Sequence, residues 1–407
     1  MNKKIFILII LLIAILVLSG CYPTCDNLKP PPRPEALIDQ VEVGGSLLAS
    51  LPDGGALVAG CDHLWFYDQN LEMRAEAAPF SGADVCMKDL VVNDAGDIYV
   101  AGSIRENSPD DVDAFVARLT PAGGVVWMHQ FGSDSKDEAL ALDLSATGVV
   151  VGGYTNFELP GKTSNGGRDF FVVSYSADGE LRASKQLGTH ARDALSDVVV
   201  SNGTVYVTGI SEGNVPGSEE EDSEEIAFVV RLDDELEPVW WWSAAASPVY
   251  REDGGGPVAT LRDEGLVLAY IEGGDEMTVL LELNPDGGVA WRRYIGTRKL
   301  DKVNDLLVLP GYDVFVLGET HGAFPGYQEP ICGFLIEGLS RYTDAFLLRA
   351  DPEGKTVAAI QFGSVKSDTG FSLAAGPGQL YVVYRETGDD YNQSPVFYLA
   401  SFDLQKL

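Results

Sequence analysis

The stretch QFGSDSKDEA, residues 130–139, gathers three carboxylates, Asp134, Asp137 and Glu138, behind a Phe-Gly pair. Oxygen ligands this close together suit a hard cation, and neighbouring carboxylates suit acid–base work. A metal loop must keep its oxygen ligands wherever the motif recurs. The motif recurs as QLGTHARDA (186–194), YIGTRKLDK (294–302) and QFGSVKSDT (361–369). Each copy sets a Gly five residues before an Asp: Gly132 and Asp137, Gly188 and Asp193, Gly296 and Asp301, Gly363 and Asp368. The intervening residues are DSK, HAR, RKL and VKS, and two copies are mostly cationic. Gly, Ser/Thr and Asp are what repeat. That is turn chemistry, with Gly for positive φ and with Asp and Ser bonded to nearby backbone N–H groups. The motif reads as a structural turn, and no metal site is expected.

Other reactive residue types give less. His63, His129, His190 and His321 occupy unrelated positions, and none is paired with a nucleophile. PGKT, 160–163, is similar to a phosphate loop, but Asn156 stands where that loop needs Gly, and no helix follows. SEEEDSEE (218–225) and NSPDDVD (107–113) are acidic loops that lack the spacing of a dedicated calcium loop. Trp127, Trp240, Trp241, Trp242 and Trp291 fall on predicted strands. Alternation must place one ring of the triplet opposite the other two, and packing against a neighbouring unit is the expected role.

The elements that carry these residues repeat throughout the chain. One strand type reads HLWFYD, DAFVARL, DFFVVSY, IAFVVRL, MTVLLEL, DAFLLRA and PVFYLAS, with Leu64, Phe115, Phe171, Phe228, Val279, Phe346 and Phe397 spaced 51 to 67 residues apart. Two further types precede each copy, such as MKDLVVN, ALALDLS, LSDVVVS and VNDLLVL, then IYVAGSI and VYVTGIS. A fourth type follows, such as GVVWMHQF and GVAWRRYI. All are short, β-branched or aromatic, and bounded by turns such as PDGG and NPDGG. Four strands per unit of roughly fifty residues is the mark of propeller blades. The first three types occur seven times and the fourth six times. An open ring would leave a bare strand edge. The alternating segment ALIDQVEV, 36–43, supplies the missing outer strand. The expected fold is all-β, a seven-bladed propeller closed by an N-terminal strand.

Residues 113–155, from DAFVARLTPAGGVVW through HQFGSDSKDEA to GGYT, resemble the SBBP-type β-propeller repeat of bacterial surface and secreted proteins. Residues 169–211 and 344–386 match in outline. Residues 240–275 depart, with AAASPVYREDGGG replacing the Gly-to-Asp turn, and the first unit lacks Phe-Gly. The resemblance implies a propeller, usually at the cell surface, with no fixed activity and no catalytic residues.

The chain opens MNKKIFILIILLIAILVLSGC, a charged start and an apolar run that read as an export signal over residues 1–20. Leu18–Cys21, LSGC, resembles the bacterial lipobox, which makes Cys21 the lipidated residue and the membrane a partner through that anchor. Tyr22 in place of Asp resembles the outer-membrane pattern of Gram-negative lipoproteins. Residues 21–35, with KPPPRPE, form a stiff tether, and residues 36–407 form the propeller. The formal charge of −33 repels nucleic acid. Cys25, Cys61, Cys86 and Cys332 remain after lipidation, and four cysteines allow three pairings. In the blade layout Cys61 ends a second strand at the loop-rich rim, and Cys86 starts the next unit from that rim. The two are expected at the roughly 5.5–6 Å Cα separation of a disulfide. Cys332, in a long insert, then has the tether residue Cys25 as its partner.

The inserts at 156–168, 212–225 and 321–343, with FELPG, GNVPG and GAFPG, emerge at the same rim as the Gly-to-Asp turns. Loops on a rigid frame are where function concentrates. The expected role is a monomeric, cofactor-free binding or scaffold lipoprotein of the cell envelope whose loop-rich face takes a protein or a glycan. The competing role is an extracytoplasmic polysaccharide lyase or hydrolase working from the central channel. It needs a convergent acid–base set, which the sequence does not display. A quinone-cofactor propeller would carry tight Trp-docking repeats, and these are missing.

Overall fold

The computed structural model describes residues 30–105, 112–217, 225–247, 257–262, 265–273, 277–309, 311, 313–327, 343–364, 367–387 and 394–407. These residues form seven antiparallel four-stranded sheets. Blades 1 to 6 cover residues 47–77, 84–131, 137–187, 193–245, 258–294 and 301–362, each with its four strands in chain order from the axis outward. Blade 7 takes three strands from residues 367–403 and its outermost strand, Leu37–Val43, from the N-terminal end. That strand runs antiparallel to Val396–Asp403, with Leu37 opposite Phe402 and Val43 opposite Phe397. The strand count thus predicts the closure, because a ring lacking one outer strand has an unsatisfied edge to fill.

Burial follows position within the blade. The second strand of blade 3, Gly148–Thr155, is buried at every residue, since both of its faces meet neighbouring blades. Its sequence, GVVVGGYT, therefore lacks the polar alternation of a one-sided sheet. Phe115, Phe171, Phe228 and Phe346 on the third strands are fully buried. The apolar clusters lie between blades. One joins Val150 and Val172 of blade 3 to Val207 and Phe228 of blade 4. The tryptophan triplet divides as alternation requires: Trp241 packs on that cluster, while Trp240 and Trp242 pack on the blade 4–blade 5 cluster.

The innermost strands of blades 2, 3, 4, 6 and 7 each carry a register shift, between Met87 and Asp89, Ala139 and Ala141, Leu195 and Asp197, Val303 and Asp305, and Gly370 and Ser372. An extra residue in a strand bends it and re-aims the side chains that follow. In blades 2, 4 and 6 the residue after the shift is an aspartate.

Candidate binding face and central channel

The blade-to-blade connections and the connections from second to third strand leave the ring on one face. On the four Gly-to-Asp turns, the Asp carboxylate accepts the backbone N–H of the residue after the Gly. Ser133 N donates to Asp137 at 2.6 Å, Thr189 N to Asp193 at 2.6 Å, Thr297 N to Asp301 at 2.5 Å, and Ser364 N to Asp368 at 2.7 Å. The adjacent hydroxyls of Ser133, Thr189, Thr297 and Ser364 donate to the same carboxylates. The four aspartates are buried. The glycines serve two ends. Gly296 and Gly363 have φ of 94° and 133°. Gly132 and Gly188 do not have positive φ, which corrects the expectation of one left-handed turn throughout. There a Cβ would come within 2.1 Å of Asp113 Oδ1 or 2.4 Å of Asp169 Oδ1, so close approach excludes a side chain.

The inserts anchor themselves by one repeated device. Leu159, Val215 and Phe324, each just before Pro-Gly, are buried in clusters between blades. Gly161, Gly217 and Gly326 follow with φ of 73°, 80° and 95°, the value that a type II turn needs after proline. In two inserts a glutamine of the outer strand holds the plug in place. Gln186 accepts Leu159 N at 2.9 Å and donates to Asp169 at 2.8 Å; Gln361 accepts Phe324 N at 3.2 Å and donates to Asp344 at 2.5 Å.

The channel holds a feature that the sequence reading missed. Asp89, Asp143, Asp197 and Asp305 lie on innermost strands, deep among protein atoms, although channel water reaches part of each side chain. Each accepts the N–H of its own successor. Each also accepts an N–H from the next blade: Leu142 N at 2.8 Å, Val200 N at 2.7 Å, Ala259 N at 2.9 Å and Leu373 N at 2.6 Å respectively. Burial pushes the carboxyls up, to about 7 for Asp89, about 6 for Asp143, about 8 for Asp197 and about 7 for Asp305, against the pull of the two N–H donors. Repulsion between them adds to the rise, as between Asp197 and Asp89. The signal was present in MKDLVVN, ALALDLS, LSDVVVS and VNDLLVL, where an acid recurs inside an otherwise apolar strand. These carboxylates are spent on neighbouring backbone, which makes them ties between blades and poor free acid–base groups.

The remaining candidates are scattered. Cys61 and Cys86 form a disulfide across the blade 1–blade 2 junction. Their Cα atoms are 3.8 Å apart, closer than the expected separation, because Met87 N also bonds Cys61 O at 2.9 Å and draws the two backbones together. Cys21, Cys25 and Cys332 lie outside the described residues, as do residues 107–111 and 218–224 of the acidic loops. His129 Nε2 donates to Gly179 O at 2.7 Å and the ring stacks on Tyr175, while His190 stands exposed on its turn. Lys162 of the PGKT segment donates to Ser184 O at 2.8 Å. Among the described residues, no group of three or more His, Cys, Asp or Glu is placed to hold a metal ion. On the opposite face a groove of about 460 Å³, lined by Leu51, Pro52, Phe66, Pro121 and Ala122, opens between blades 1 and 2.

No protein-family model matches the sequence, so the SBBP-type likeness rests on the motifs quoted above. The chain is 31% identical over 144 residues to the regulatory protein FlaEY of Caulobacter vibrioides, a match covering 30% of this chain and 15% of that protein. The chain therefore spans a small part of that relative. Among solved structures it is similar to a chain of the mitotic checkpoint complex, with a TM-score of 0.54 at 10% identity over 93% of this chain and 97% of that one. It is also similar to the Pan2 WD40 domain of Neurospora crassa, with a TM-score of 0.50 at 10% identity over 91% of this chain and 98% of that one. At such identities the likeness is one of fold, a propeller.

Proposed function

We propose that the chain is a non-catalytic binding or scaffold lipoprotein of the cell envelope, anchored through Cys21, whose loop-rich face docks a protein. The observation that carries this reading is the construction of that face. Turns and inserts from successive blades are pinned by buried aspartates and by the plugs Leu159, Val215 and Phe324, which leaves a rigid rim with variable residues on top. The channel carboxylates support it as well, since each is tied to two backbone N–H groups. The checkpoint-complex neighbour belongs to a protein assembly, which favours a protein over a glycan.

The docking reading is tested by affinity capture from envelope extract with the full chain as bait. A specific protein retained by the wild type and lost when residues 156–168 are replaced by a short Gly-Ser linker supports it. Capture indifferent to that insert refutes the face. For the anchor, Cys21→Ala is expected to leave an unprocessed precursor, and normal maturation of the variant would refute lipidation there.

A further inference from the structure

The outer strands repeat one position with unequal contents. It lies opposite the residue at which each third strand shifts register, and in blades 1 to 6 it holds Ala75, Trp127, Ala183, Trp240, Trp291 and Ala358. In blade 7 it holds Asp39. Across each junction stands the turn between the third and fourth strands of the next blade. In that turn the N–H of Leu71, Gly123, Gly179, Leu236, Gly287 or Gly354 bonds the carbonyl three residues back. All six have positive φ, from 60° at Leu71 to 87° at Gly179 and Gly287. Glycine takes that conformation freely and leucine at a cost.

The two sets match in size. Trp127 meets Gly179, Trp240 meets Gly287 and Trp291 meets Gly354, where an added Cβ would lie 3.1 Å or less from the indole. Ala183 leaves room, and there Leu236 accepts the left-handed backbone and is buried in the same apolar cluster. Leu71 is buried likewise between blades 7 and 1, where Asp39 offers no apolar bulk. Leu404 and Leu407 join the blade 6–blade 7 cluster. Between blades 1 and 2, Ala75 stands on one side and Gly123 on the other. A Cβ at Gly123 would come 2.6 Å from that of Ala77, so the turn cannot supply a plug. The groove of about 460 Å³ runs along Phe66, Ala75, Pro121 and Ala122 in this place. Its size falls within the roughly 300–1,000 Å³ of pockets that hold ligands.

The polar side of the filled junctions is open here too. Trp127 Nε1 donates to Ala177 O at 2.9 Å and Trp240 Nε1 to Pro285 O at 3.0 Å. Pro121 holds the same turn position, and among the described residues its carbonyl accepts no hydrogen bond. Residues 51–55, 66–77, 93–97 and 118–124 form the walls. They carry Asp53, Asp68, Glu72, Glu76, Asp94 and Asp97 against Arg74 and Arg118. Both arginines are taken, by Asp53 and Asp97, and among the described residues no basic group pairs with Glu72, Glu76 or Asp94. The Cys61–Cys86 disulfide ties the same two blades and fixes the spacing of the walls.

We propose that the groove between blades 1 and 2 is a docking site for a tryptophan side chain of a protein partner, in a segment that carries Lys or Arg beside it. The site lies on the face opposite the loop-rich rim and does not depend on the reading of that rim. The indole takes the place that Trp127, Trp240 and Trp291 take at the other junctions, its N–H reaches Pro121 O, and the flanking cation meets the free wall carboxylates. Apolar burial with a satisfied N–H is what makes tryptophan an interface anchor.

The test is fluorescence anisotropy of a fluorescein-labelled Gly-Ser peptide with Lys-Trp-Lys at its centre, titrated with the detergent-solubilised full chain. Leucine in place of the peptide's tryptophan is expected to weaken binding by about thirtyfold, the scale of a tryptophan anchor. Ala75→Trp fills the groove with the chain's own indole, and it should abolish binding while holding or raising the melting temperature. Asp94→Lys, at an exposed side chain on the groove's wall, should weaken the Lys-Trp-Lys peptide and spare a Gln-Trp-Gln peptide. Glu353→Lys, exposed on a blade 6 turn of the same face, should change nothing. No saturable binding by the wild type overturns the site, and so does equal affinity for the leucine peptide. Full binding by a folded Ala75→Trp variant overturns it as well; if that variant does not fold, unchanged binding by Asp94→Lys does so. Replacing residues 156–168 by a Gly-Ser linker should leave peptide binding intact. Loss of binding in that variant would move the site to the loop-rich rim and overturn the groove.

Discussion

Aspartate at a blade junction loses water and gains backbone N–H donors, and the balance is unequal from site to site. For Asp89, Asp197 and Asp305 burial dominates, and the folded-state pKa rises well above the unfolded value of about 3.9. The folded protein then holds protons that the unfolded chain has released. This stabilises the fold at low pH, and the effect is lost as pH climbs from about 4 through the folded values. The melting temperature should be higher at pH 5.5 than at pH 8.5 by differential scanning calorimetry. Asp197→Asn should flatten that slope, and it should also cost about 1–3 kcal/mol by leaving Val198 or Ala259 N–H facing an amide donor. A slope that survives the substitution would assign the pH effect to surface charge. These residues were hard to read from the sequence. They occur in four of seven copies, and Asp143 sits two places along from the others, in a strand whose period is broken by the bulge.

The strand Leu37–Val43 shows how far element-level reasoning reaches. Its alternation is weak, and its pattern in the structure is mostly exposed or half-buried. By itself it would be a poor strand prediction. The six-to-seven deficit in the outer-strand count supplies the missing information, because hydrogen-bond satisfaction is a property of the closed ring and not of the segment. The long inserts were legible as loops, but the burial of Leu159, Val215 and Phe324 was not, since a single apolar residue in a Pro-Gly turn has no periodicity. Deleting residues 22–43 should strip the edge of Val396–Asp403 and lower the urea midpoint sharply. It should also produce concentration-dependent self-association through the bared edge, measurable by sedimentation velocity. A monomeric variant with an unchanged midpoint would show that the strand contributes nothing to closure.

Across the whole molecule, the blade junctions are not all held in the same way. Blades 1 and 2 share the Cys61–Cys86 disulfide. Blades 2 to 3, 3 to 4, 4 to 5 and 6 to 7 use a channel aspartate. Between blades 4 and 5, Ser196 Oγ also donates to Pro257 O at 2.8 Å, and between 6 and 7, Asn304 donates to Gly370 O at 2.8 Å. Blade 7 meets blade 1 through Ser372 Oγ to Ser46 O at 3.0 Å and the Tyr381 hydroxyl to Gly54 O at 2.9 Å. The disulfide stands at a junction where neither the Gly-to-Asp turn nor a channel aspartate on the first inner strand is present, so its loss should be felt. With its cysteines 25 apart in sequence, chain entropy assigns it about 3 kcal/mol. Cys61→Ser with Cys86→Ser should lower the denaturation free energy by that order, and reducing agent should lower the wild type to match. If reductant leaves the wild-type midpoint in place, the bond adds no stability.

The shared blade also decides how the ring responds to force. Leu37 is opposite Phe402, and the chain beyond Val43 runs directly into blade 1. Tension between the segment before Leu37 and the segment after Asp403 therefore loads the ladder from one end, breaking its hydrogen bonds one after another as a zipper opens, whereas a strand pulled along its axis would share the load across all of them. A pull between these two ends is expected to open the shared blade before it loads the other six.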